Sequence, residues 1–302
     1  MLDPTEPRVY HTPVLVNEVL AALNLHSNGD YVDCTAGEGG HTSAIINNIG
    51  PKGSILALDR DSELIKTTRA RFRKHPNITL VPSNYAHLLT VAQNIGLENV
   101  HGILFDLGFS SFHIEAAGRG FSFRSDEPLD MRFNSSQTLT AAKIVNTYTI
   151  DDLADVLERY GEERRSYRIA KAIIQSRPIN TSGRLASVIA KTIGRRNRIH
   201  PATLTFQALR IAVNSELDSL RKGLQGAMSL LKCGGRLVVI SYHSLEDRIT
   251  KQMFRKEESL TNVNKKVIKA SREEILQNPR SRSARLRIGE RVRLQETGVN
   301  NV

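Results

Sequence analysis

The stretch VDCTAGEGGHTSAII, residues 32–46, places three glycines between an apolar run and a segment with helical spacing. The apolar run predicts a buried strand, and the segment after the glycines predicts a helix. In an open α/β sheet, a loop in this position lies where backbone amides face a ligand. The stretch therefore predicts a ligand-binding loop after the first strand of such a sheet.

Strand and helix patterns alternate over the first part of the chain, which predicts a parallel sheet with helices on both faces. Strands are predicted at 31–34, 54–59, 77–82 and 100–106, and helices at 41–49, 61–74 and 85–95. Toward the C-terminus, a strand is predicted at 236–241 and a helix at 244–256. The segment SARLRIGERVRL (283–294) predicts an edge strand with its basic side chains outward.

The middle of the chain carries helical patterns without a strand pattern, at 149–161, 163–176 and 183–193. We therefore expect an all-helical insertion over 113–203, within a sheet domain formed by 1–112 and 204–302. Thr149 and Asp152 predict a capped start for the first of these helices. After the insertion a single long helix is predicted, because apolar residues recur at helical spacing as far as Leu231.

The chain is strongly basic, with a formal net charge of +11 and a pI near 9.8. Residues 158–200 hold eleven Lys or Arg against three Glu, and residues 251–293 hold thirteen against five acids. Two such clusters favour a nucleic-acid partner held mainly through phosphates, although solvated helix surfaces are the alternative for each cluster. Aromatic residues are few and Trp is missing, so base stacking has little compositional support. Charge reversal at Arg195, Arg196 and Arg198 is expected to weaken nucleic-acid binding.

Composition also limits the compartment and the metal chemistry. No run of 18 apolar residues and no secretion signal is present, so a cytoplasmic protein without a membrane partner is expected. Two distant cysteines, Cys34 and Cys233, cannot supply a thiolate zinc site, and no metal site is predicted.

The glycine loop lacks the features of a phosphate-binding loop. Gly37 and Gly39 are not followed by the third glycine of dinucleotide-binding folds, and the loop has no lysine. Glu38 would also repel a pyrophosphate. S-adenosylmethionine carries a sulfonium, an ammonium and a carboxylate but no phosphate, so the residues favour this methyl donor. An NAD-dependent oxidoreductase stays open as an alternative.

Aspartates close three of the predicted strands, at Asp33, Asp59 and Asp106. The carboxyl ends of parallel strands share one edge of a sheet, so these carboxylates are expected to lie together there. Asp33 can meet the donor's ammonium, and Asp59 can accept hydrogen bonds from both ribose hydroxyls. Tyr85 either stacks on adenine or packs in the core, and His41 is expected to shape the loop and the ligand site.

Several longer blocks, in order along the chain, resemble one known family. The blocks are HTPVLVNEVL (11–20), YVDCTAGEGGH (31–41), ALDRD (57–61), GILFDLGFSS (102–111), RGFSFRSDEPLDMR (119–132), YGEERRSYRIAKAI (160–173), HPATLTFQALRIAVNSEL (200–217), GGRLVVISYHSLEDRI (234–249) and NPRSRSARLRI (278–288). They resemble the RsmH (MraW) family of bacterial enzymes, which methylate the N4 amine of a cytidine in 16S ribosomal RNA. The resemblance spans nearly the whole chain.

The resemblance implies a class I (Rossmann-like) S-adenosylmethionine-dependent methyltransferase sheet with an inserted all-helical domain that binds RNA. By position in the motifs, the implied donor contacts are Gly39, Gly40, His41, Asp59, Tyr85, Asp106 and His113. At position 113 the family usually has Gln. The imidazole of His113 can replace that amide as a hydrogen-bond donor or as an acceptor, but not as both at once when it is neutral. The implied partner is 16S ribosomal RNA or the small ribosomal subunit; a homodimer is left open.

The resemblance does not identify the groups that act on the target amine. Many amino-methyltransferases carry a D/N/S-P-P-Y/F segment after the fourth strand, whereas Asp106 here is followed by Leu-Gly-Phe-Ser-Ser. Phe109 is a candidate to stack on the target base, and Ser110 or Ser111 to contact it. Core packing and turn formation are the alternatives for these three residues.

His243, predicted to follow the fifth strand, is a candidate to accept the amine proton or to bind the base edge. The alternative for this region is helix capping by Ser244, with Asp247 three residues later. Two other functions also compete with the methyltransferase hypothesis. One is a non-catalytic ribosome assembly factor that senses the donor, and the other is methylation of a different nucleic-acid amine.

Overall fold

The computed structural model describes residues 12–108, 118–194 and 199–293. These residues form two compact units. The sheet unit comprises the described residues within 1–108 and 219–302, and the helical unit comprises those within 109–218. The predicted insertion, 113–203, falls inside the range of the helical unit, which continues as far as Asp218.

The sheet unit contains a seven-stranded sheet. Its strands are β1 (Asp30–Asp33), β2 (Ser54–Asp59), β3 (Ile78–Pro82), β4 (Val100–Asp106), β5 (Leu231–Ser241), β6 (Leu260–Asn262) and β7 (Arg285–Arg291). The spatial order is β3-β2-β1-β4-β5-β7-β6, with β1 to β5 parallel and β7 antiparallel to both of its neighbours. The predicted α/β sheet is confirmed. The chain order reverses between β1 and β4, which is where open sheets of this kind bind ligands.

The described residues form a helix at each place where a short helix was predicted, and further helices that were not predicted at 16–23, 141–147 and 272–277. The helices are α1 (Val16–Leu23), α2 (Gly40–Ile46), α3 (Ser62–Arg71), α4 (Leu88–Asn94), α5 (Ala141–Thr147), α6 (Ile150–Gly161), α7 (Ser166–Gln175), α8 (Ser182–Ile193), α9 (Thr203–Asn214), α10 (Glu216–Leu230), α11 (Ser244–Lys256) and α12 (Arg272–Gln277). Within the described ranges, no helix combines the length and the apolar character needed to cross a membrane.

Both faces of the sheet are covered, because successive side chains of the strands enter two separate cores. Tyr31 and Leu104 belong to one buried cluster, whereas the neighbouring residues Val32 and Phe105 belong to the other. All four are fully buried. In β1 and β2 the polar side chains stand at the strand ends, and this places Asp33 and Asp59 at the carboxyl edge of the sheet.

The predicted C-terminal strand is confirmed as β7, but its predicted position at the edge of the sheet is wrong. β7 pairs with β5 on one side and with β6 on the other, so the short β6 is the edge. Leu286 and Ile288 of β7 are buried as the alternating pattern requires. β6 has three residues, too few to show a strand period, and this strand was therefore not predictable from the spacing of apolar residues.

The prediction of one long helix after the insertion is also wrong. The chain breaks at Ser215, which has a left-handed backbone (φ +48°) and separates α9 from α10. Beside the break, the Arg210 guanidinium donates to both carboxylate oxygens of Glu216 at 2.9 and 3.0 Å. The apolar spacing continues across the break because each helix buries its own face. Leu209 packs in the helical unit, whereas Leu220 packs in the sheet unit.

Candidate functional site

The glycine loop after β1 has backbone dihedral angles that residues with a Cβ atom rarely adopt. Gly37 and Gly39 have φ values of +53° and +82°, in the left-handed region. A Cβ atom at Gly39 would lie 2.5 Å from the Phe72 ring, and one at Gly40 would lie 3.0 Å from Pro13. The glycines therefore allow two neighbouring segments to approach the loop closely.

Helix α3 fixes the loop through two side chains. The Thr68 hydroxyl donates to the Gly37 carbonyl at 2.8 Å, and the Arg71 guanidinium donates to the Glu38 carbonyl at 2.8 Å. Asp61 begins this helix, because its carboxylate accepts the N–H of Glu63 at 3.0 Å. Asp61 therefore caps α3, and the loop is held by the helix that follows the next strand.

Asp33 lies at the end of β1 and is completely buried. Its carboxylate accepts a hydrogen bond from the Thr42 hydroxyl at 2.7 Å and from the Thr35 N–H at 3.1 Å. Burial raises the pKa of Asp33 above its ordinary value, and the neighbouring His41 partly counteracts this. Asp33 thus connects the start of the loop to α2, and each of its carboxylate oxygens accepts one of these bonds.

Asp59 lies at the end of β2, where its side chain turns back to the glycine loop. One carboxylate oxygen accepts the Gly37 N–H at 2.9 Å, and the other accepts the Asp61 N–H at 2.9 Å. These two bonds fix the plane of the carboxylate. An ionised carboxylate has about four acceptor positions, and the two backbone bonds accordingly orient a group that can also bind hydroxyls.

Asp106 ends β4 and lies between two polar side chains. Its Oδ1 accepts a hydrogen bond from the Tyr242 hydroxyl at 2.8 Å, and its Oδ2 is 3.4 Å from His41 Nε2. Its own N–H donates to the Thr35 hydroxyl oxygen at 2.7 Å. The sheet therefore brings residues from the segments after β1 and β5 to the end of β4, beside the point where the strand order reverses.

His41 is buried beside two carboxylates. Burial by itself lowers the pKa of His41, but Asp106 and then Asp33 outweigh this effect, so the pKa lies above its ordinary value of 6.5. Within the described residues, Nδ1 has no hydrogen-bond partner, and Nε2 has only its 3.4 Å ion pair with Asp106. Buried polar atoms are nearly always satisfied in folded proteins, and this imidazole is therefore suited to a bound polar ligand group.

Tyr85 lies after β3 and is half-buried rather than part of the closed core. Its ring meets Phe105 edge to face, with centroids 5.5 Å apart. A Cβ atom at Gly223 of α10 would lie 2.8 Å from the Tyr85 ring, so this glycine inside a helix makes room for the aromatic side chain. The ring therefore borders the same edge of the sheet as the aspartates, in partial contact with solvent.

His243 directly precedes α11 and caps it. Its imidazole accepts the Glu246 N–H at 3.5 Å, while the Glu246 carboxylate accepts the His243 N–H at 3.3 Å. Helix capping is confirmed for this region, but its residues were assigned wrongly. Ser244 does not cap the helix with Asp247, because Asp247 instead binds the Arg287 guanidinium at 2.7 and 3.1 Å.

Four of the predicted site residues cannot be placed. Phe109, Ser110, Ser111 and His113 lie outside the described residues. Arg195, Arg196 and Arg198 of the first basic cluster also lie outside them. The roles predicted for these residues stay predictions.

The block RGFSFRSDEPLDMR has an internal structural role in the helical unit. Arg132 binds the Asp130 carboxylate at 2.6 Å and donates to the Ser135 carbonyl at 2.7 Å. The Arg119 guanidinium donates to the carbonyls of Arg132 and Phe133 at 3.2 and 2.9 Å. The distinctive charges of this block are thus used to fold a segment without regular secondary structure.

Tyr242 is the site residue that sequence reasoning missed. Burial, followed by the charge of Asp106, raises the pKa of its phenol well above 10. The hydroxyl therefore stays protonated and donates to Asp106. The available signal was its position immediately after the fifth strand, but its pairing with Asp106 depends on β5 lying next to β4. That strand order is not evident in the sequence.

The chain is similar to known proteins over nearly its whole length. A model of the MraW methylase family matches residues 8–292. A protein of Dehalococcoides mccartyi named ribosomal RNA small subunit methyltransferase H is 49% identical, over 93% of this chain and 86% of its own length. A protein of the same name from Coprothermobacter proteolyticus is 46% identical, over 93% and 95%. A solved rRNA methylase from Streptococcus thermophilus aligns over 92% of this chain and 94% of its own, at 10% identity and a TM-score of 0.45.

Proposed function

This chain belongs to the MraW methylase family, and we propose that it transfers a methyl group from S-adenosylmethionine to the N4 amine of a cytidine in 16S ribosomal RNA. The name shared by its relatives supports a substrate in small-subunit ribosomal RNA. One structural observation carries the proposal to this site. The buried His41 has a ring nitrogen, Nδ1, without a hydrogen-bond partner in the described residues, while its Nε2 faces Asp106.

The proposed donor site comprises the residues on which the loop and the strand ends converge. Its members are Gly39, Gly40, His41, Asp59, Tyr85 and Asp106, with His113 proposed from the sequence alone. Asp59 is oriented by two backbone bonds and suits the ribose hydroxyls. Tyr85 offers a half-buried ring for adenine, and His41 offers a nitrogen to the amino-acid part. The chemistry of this set fits S-adenosylmethionine, because a sulfonium and an ammonium are compatible with a carboxylate-rich edge.

The donor supplies a methyl carbon that its sulfonium already activates for attack by a nucleophile. The protein has to hold the weakly nucleophilic cytosine amine in line with that carbon, and alignment alone is worth about 7–11 kcal/mol. Alignment also requires a fixed donor, and Asp106 is held in place to orient it because the Tyr242 hydroxyl binds one of its carboxylate oxygens at 2.8 Å. In the proposed mechanism, Asp106 orients the donor at the end of β4.

The amine loses a proton as the new N–C bond forms, and an acceptor is therefore needed near the target base. His243 stays a candidate, although the structure already gives its imidazole a capping bond at the start of α11. Phe109 as a stacking residue and Ser110 or Ser111 as base contacts complete the proposed set. Turnover of each single variant, with donor binding measured separately, tests these assignments.

We propose the helical unit as the RNA-binding part of the protein, on the strength of its basic sequence. The small ribosomal subunit is the proposed partner, and this places the enzyme in the cytoplasm, where such subunits are assembled. A homodimer is tested independently by measuring the molecular mass of the purified protein in solution across a range of concentrations.

The central experiment uses small ribosomal subunits that lack the modification. They are incubated with the protein and a donor labelled in its methyl group, and the RNA is then digested to nucleosides. Label on N4-methylcytidine is the expected result. Label on the ring carbon or the ribose would refute the proposed acceptor atom. Binding to the subunits without any transfer of label would favour the non-catalytic assembly factor.

A further inference from the structure

Helix α7 of the helical unit has one buried and one exposed side. Its buried side consists of Ile169, Ala170 and Ile173, which are completely enclosed in the core. The α7 face is defined here as the exposed residues on the other side, namely Tyr167, Arg168, Lys171 and Gln175. Tyr167 and Lys171 are four positions apart in the chain, as are Lys171 and Gln175, so these side chains are neighbours along the helix surface.

Tyr167 is unusually exposed for an aromatic residue, with 57% of its surface accessible. Within the described ranges, the other large hydrophobic side chains with comparable exposure are aliphatic: Ile95, Ile199, Val263 and Leu276. An exposed aromatic ring leaves a large apolar surface in water, which is unfavourable for an isolated protein. A ring in this position is well placed to stack against a flat partner.

The cationic side chains of the α7 face have no internal role in the part of the chain that is described. Arg168 and Lys171 take part there in no side-chain hydrogen bond or ion pair. Arg165, at the start of the same helix, behaves differently because its guanidinium donates to the Ile193 carbonyl at 2.9 Å. The contrast separates an arginine used for folding from two cations available to a partner.

We infer that the α7 face binds a single-stranded segment of RNA, with Tyr167 stacked on an unpaired base and Arg168 and Lys171 contacting the phosphates beside it. The inference rests on the proposed function, because it requires an RNA substrate. Aromatic rings between cations suit single strands, since every base offers a flat surface and the backbone offers regular negative charge. A duplex fits less well because its bases are already stacked on one another.

Variants of Tyr167 test the stacking contact. Tyr167→Ala is expected to weaken binding to an unmodified 16S RNA transcript, and to a single-stranded oligouridine, by roughly 5- to 100-fold. Tyr167→Phe keeps the ring and should bind like the wild type. Leu276→Ala removes a similarly exposed side chain from α12 of the sheet unit and is the matched control. Fluorescence anisotropy with labelled RNA measures all four proteins, and thermal unfolding with donor binding shows that each is folded.

The cations are tested by the dependence of binding on salt. The double variant Arg168→Ala/Lys171→Ala should reduce the slope of log affinity against log salt by about 1.4 on single-stranded RNA, since each phosphate contact contributes roughly 0.7. The change should be much smaller on an RNA duplex of the same length. Donor binding by the double variant should equal that of the wild type.

Each outcome of these measurements supports or overturns the inference. Equal RNA affinity of Tyr167→Ala and the wild type would overturn it while leaving the methyltransferase proposal intact. An equal loss of RNA affinity in Tyr167→Phe and Tyr167→Ala would show that Tyr167 contacts RNA through its hydroxyl, and it would overturn the stacking contact. If Tyr167→Ala binds ribosomal subunits more weakly but binds the naked transcript normally, the partner of the α7 face is a protein instead. If the wild type neither binds nor methylates unmodified small ribosomal subunits, the proposed function fails together with the inference.

Discussion

Tyr242 and Tyr167 place the same side chain in opposite settings. At the carboxyl edge of the sheet, Tyr242 is half-buried and its hydroxyl donates to Asp106 at 2.8 Å. On α7, Tyr167 is largely exposed among cationic side chains that have no internal partner in the described residues. The hydroxyl is therefore the important group at the first position, and the ring is the important group at the second.

The difference reflects the ligands that the two regions are proposed to hold. A small donor requires polar groups whose directions are fixed before binding, and at the sheet edge those directions are fixed by short hydrogen bonds to Asp33, Asp59 and Asp106. A long RNA strand is held by many charges that adjust to the backbone, and these charges remain solvated until it binds. Substitutions at the edge should therefore alter stability and turnover together. Substitutions on α7 should alter RNA affinity alone.

The largest effect is expected from Gly39→Ala in the glycine loop. The residue has a φ of +82°, and the new Cβ atom would lie 2.5 Å from the Phe72 ring. The left-handed backbone and the displacement of the ring together should lower the free energy of unfolding by about 2–5 kcal/mol. Donor binding should fall as well. Urea denaturation and calorimetry with S-adenosylmethionine measure the two quantities.

Gly96→Ala provides the matched control for the loop. Gly96 has a similar φ of +69°, but no atom lies within 4 Å of the position of its Cβ. Only the backbone cost of about 1–2 kcal/mol is expected there, with donor binding unchanged. Equal losses of stability in the two variants would show that close packing of the loop against Phe72 is unimportant.

The sequence was sufficient to predict the parts of the fold that depend on local spacing. The strands at 54–59 and 100–106 and the helix at 244–256 have the predicted limits, because strand and helix periods and their caps are local properties. It was also sufficient to place Asp33, Asp59 and Asp106 at one edge of the sheet, since each aspartate closes a parallel strand.

Features that depend on contacts between distant segments were not predictable. The break at Ser215 was hidden because both flanking helices keep an apolar face, although they pack in different cores. The bond between Tyr242 and Asp106 joins residues 136 positions apart. The edge position of β6 likewise depends on where β7 inserts. In each case the deciding neighbour is fixed by tertiary packing and not by sequence period.

An intermediate effect is expected from Tyr242→Phe, which removes a single hydroxyl from the edge of the sheet. Loss of a hydrogen bond to a charged group should lower the free energy of unfolding by about 1–3 kcal/mol. Tyr242 acts as a positioning residue for Asp106, so turnover should also fall roughly tenfold, the effect of about 1.4 kcal/mol in the barrier. Steady-state kinetics at a temperature well below unfolding separates kcat from KM.

Tyr167→Phe is the matched control for this hydroxyl and sharpens the comparison between the two regions. It should leave stability, kcat and the donor KM unchanged, because the Tyr167 ring lies on the exposed face of α7. If Tyr242→Phe lowers stability but leaves kcat at the wild-type value, Tyr242 is structural and has no positioning role.

The smallest effect concerns the pH dependence of stability that arises from His41. Its pKa in the folded protein lies above 6.5, so the folded state binds the proton more tightly than the unfolded state. The stabilisation from this proton is complete below pH 6.5 and is lost as the pH rises through the folded pKa. His41→Gln should remove this decline. Urea denaturation at closely spaced pH values from 5 to 9 (roughly the range over which His titrates) measures the slope.

His101→Gln is the control with the opposite sign. Burial, followed by the positive charge of Lys232, lowers the pKa of His101 below 6.5, so its contribution increases with pH at values below 6.5. Removing it should flatten the rise on the acid side and leave the decline above pH 6.5 in place. A decline that persists unchanged in His41→Gln would mean that the carboxylates of Asp33 and Asp106 do not hold a proton on this imidazole. The candidate site at the sheet edge would then lack the buried charge pair that distinguishes it from the solvated cations of the α7 face.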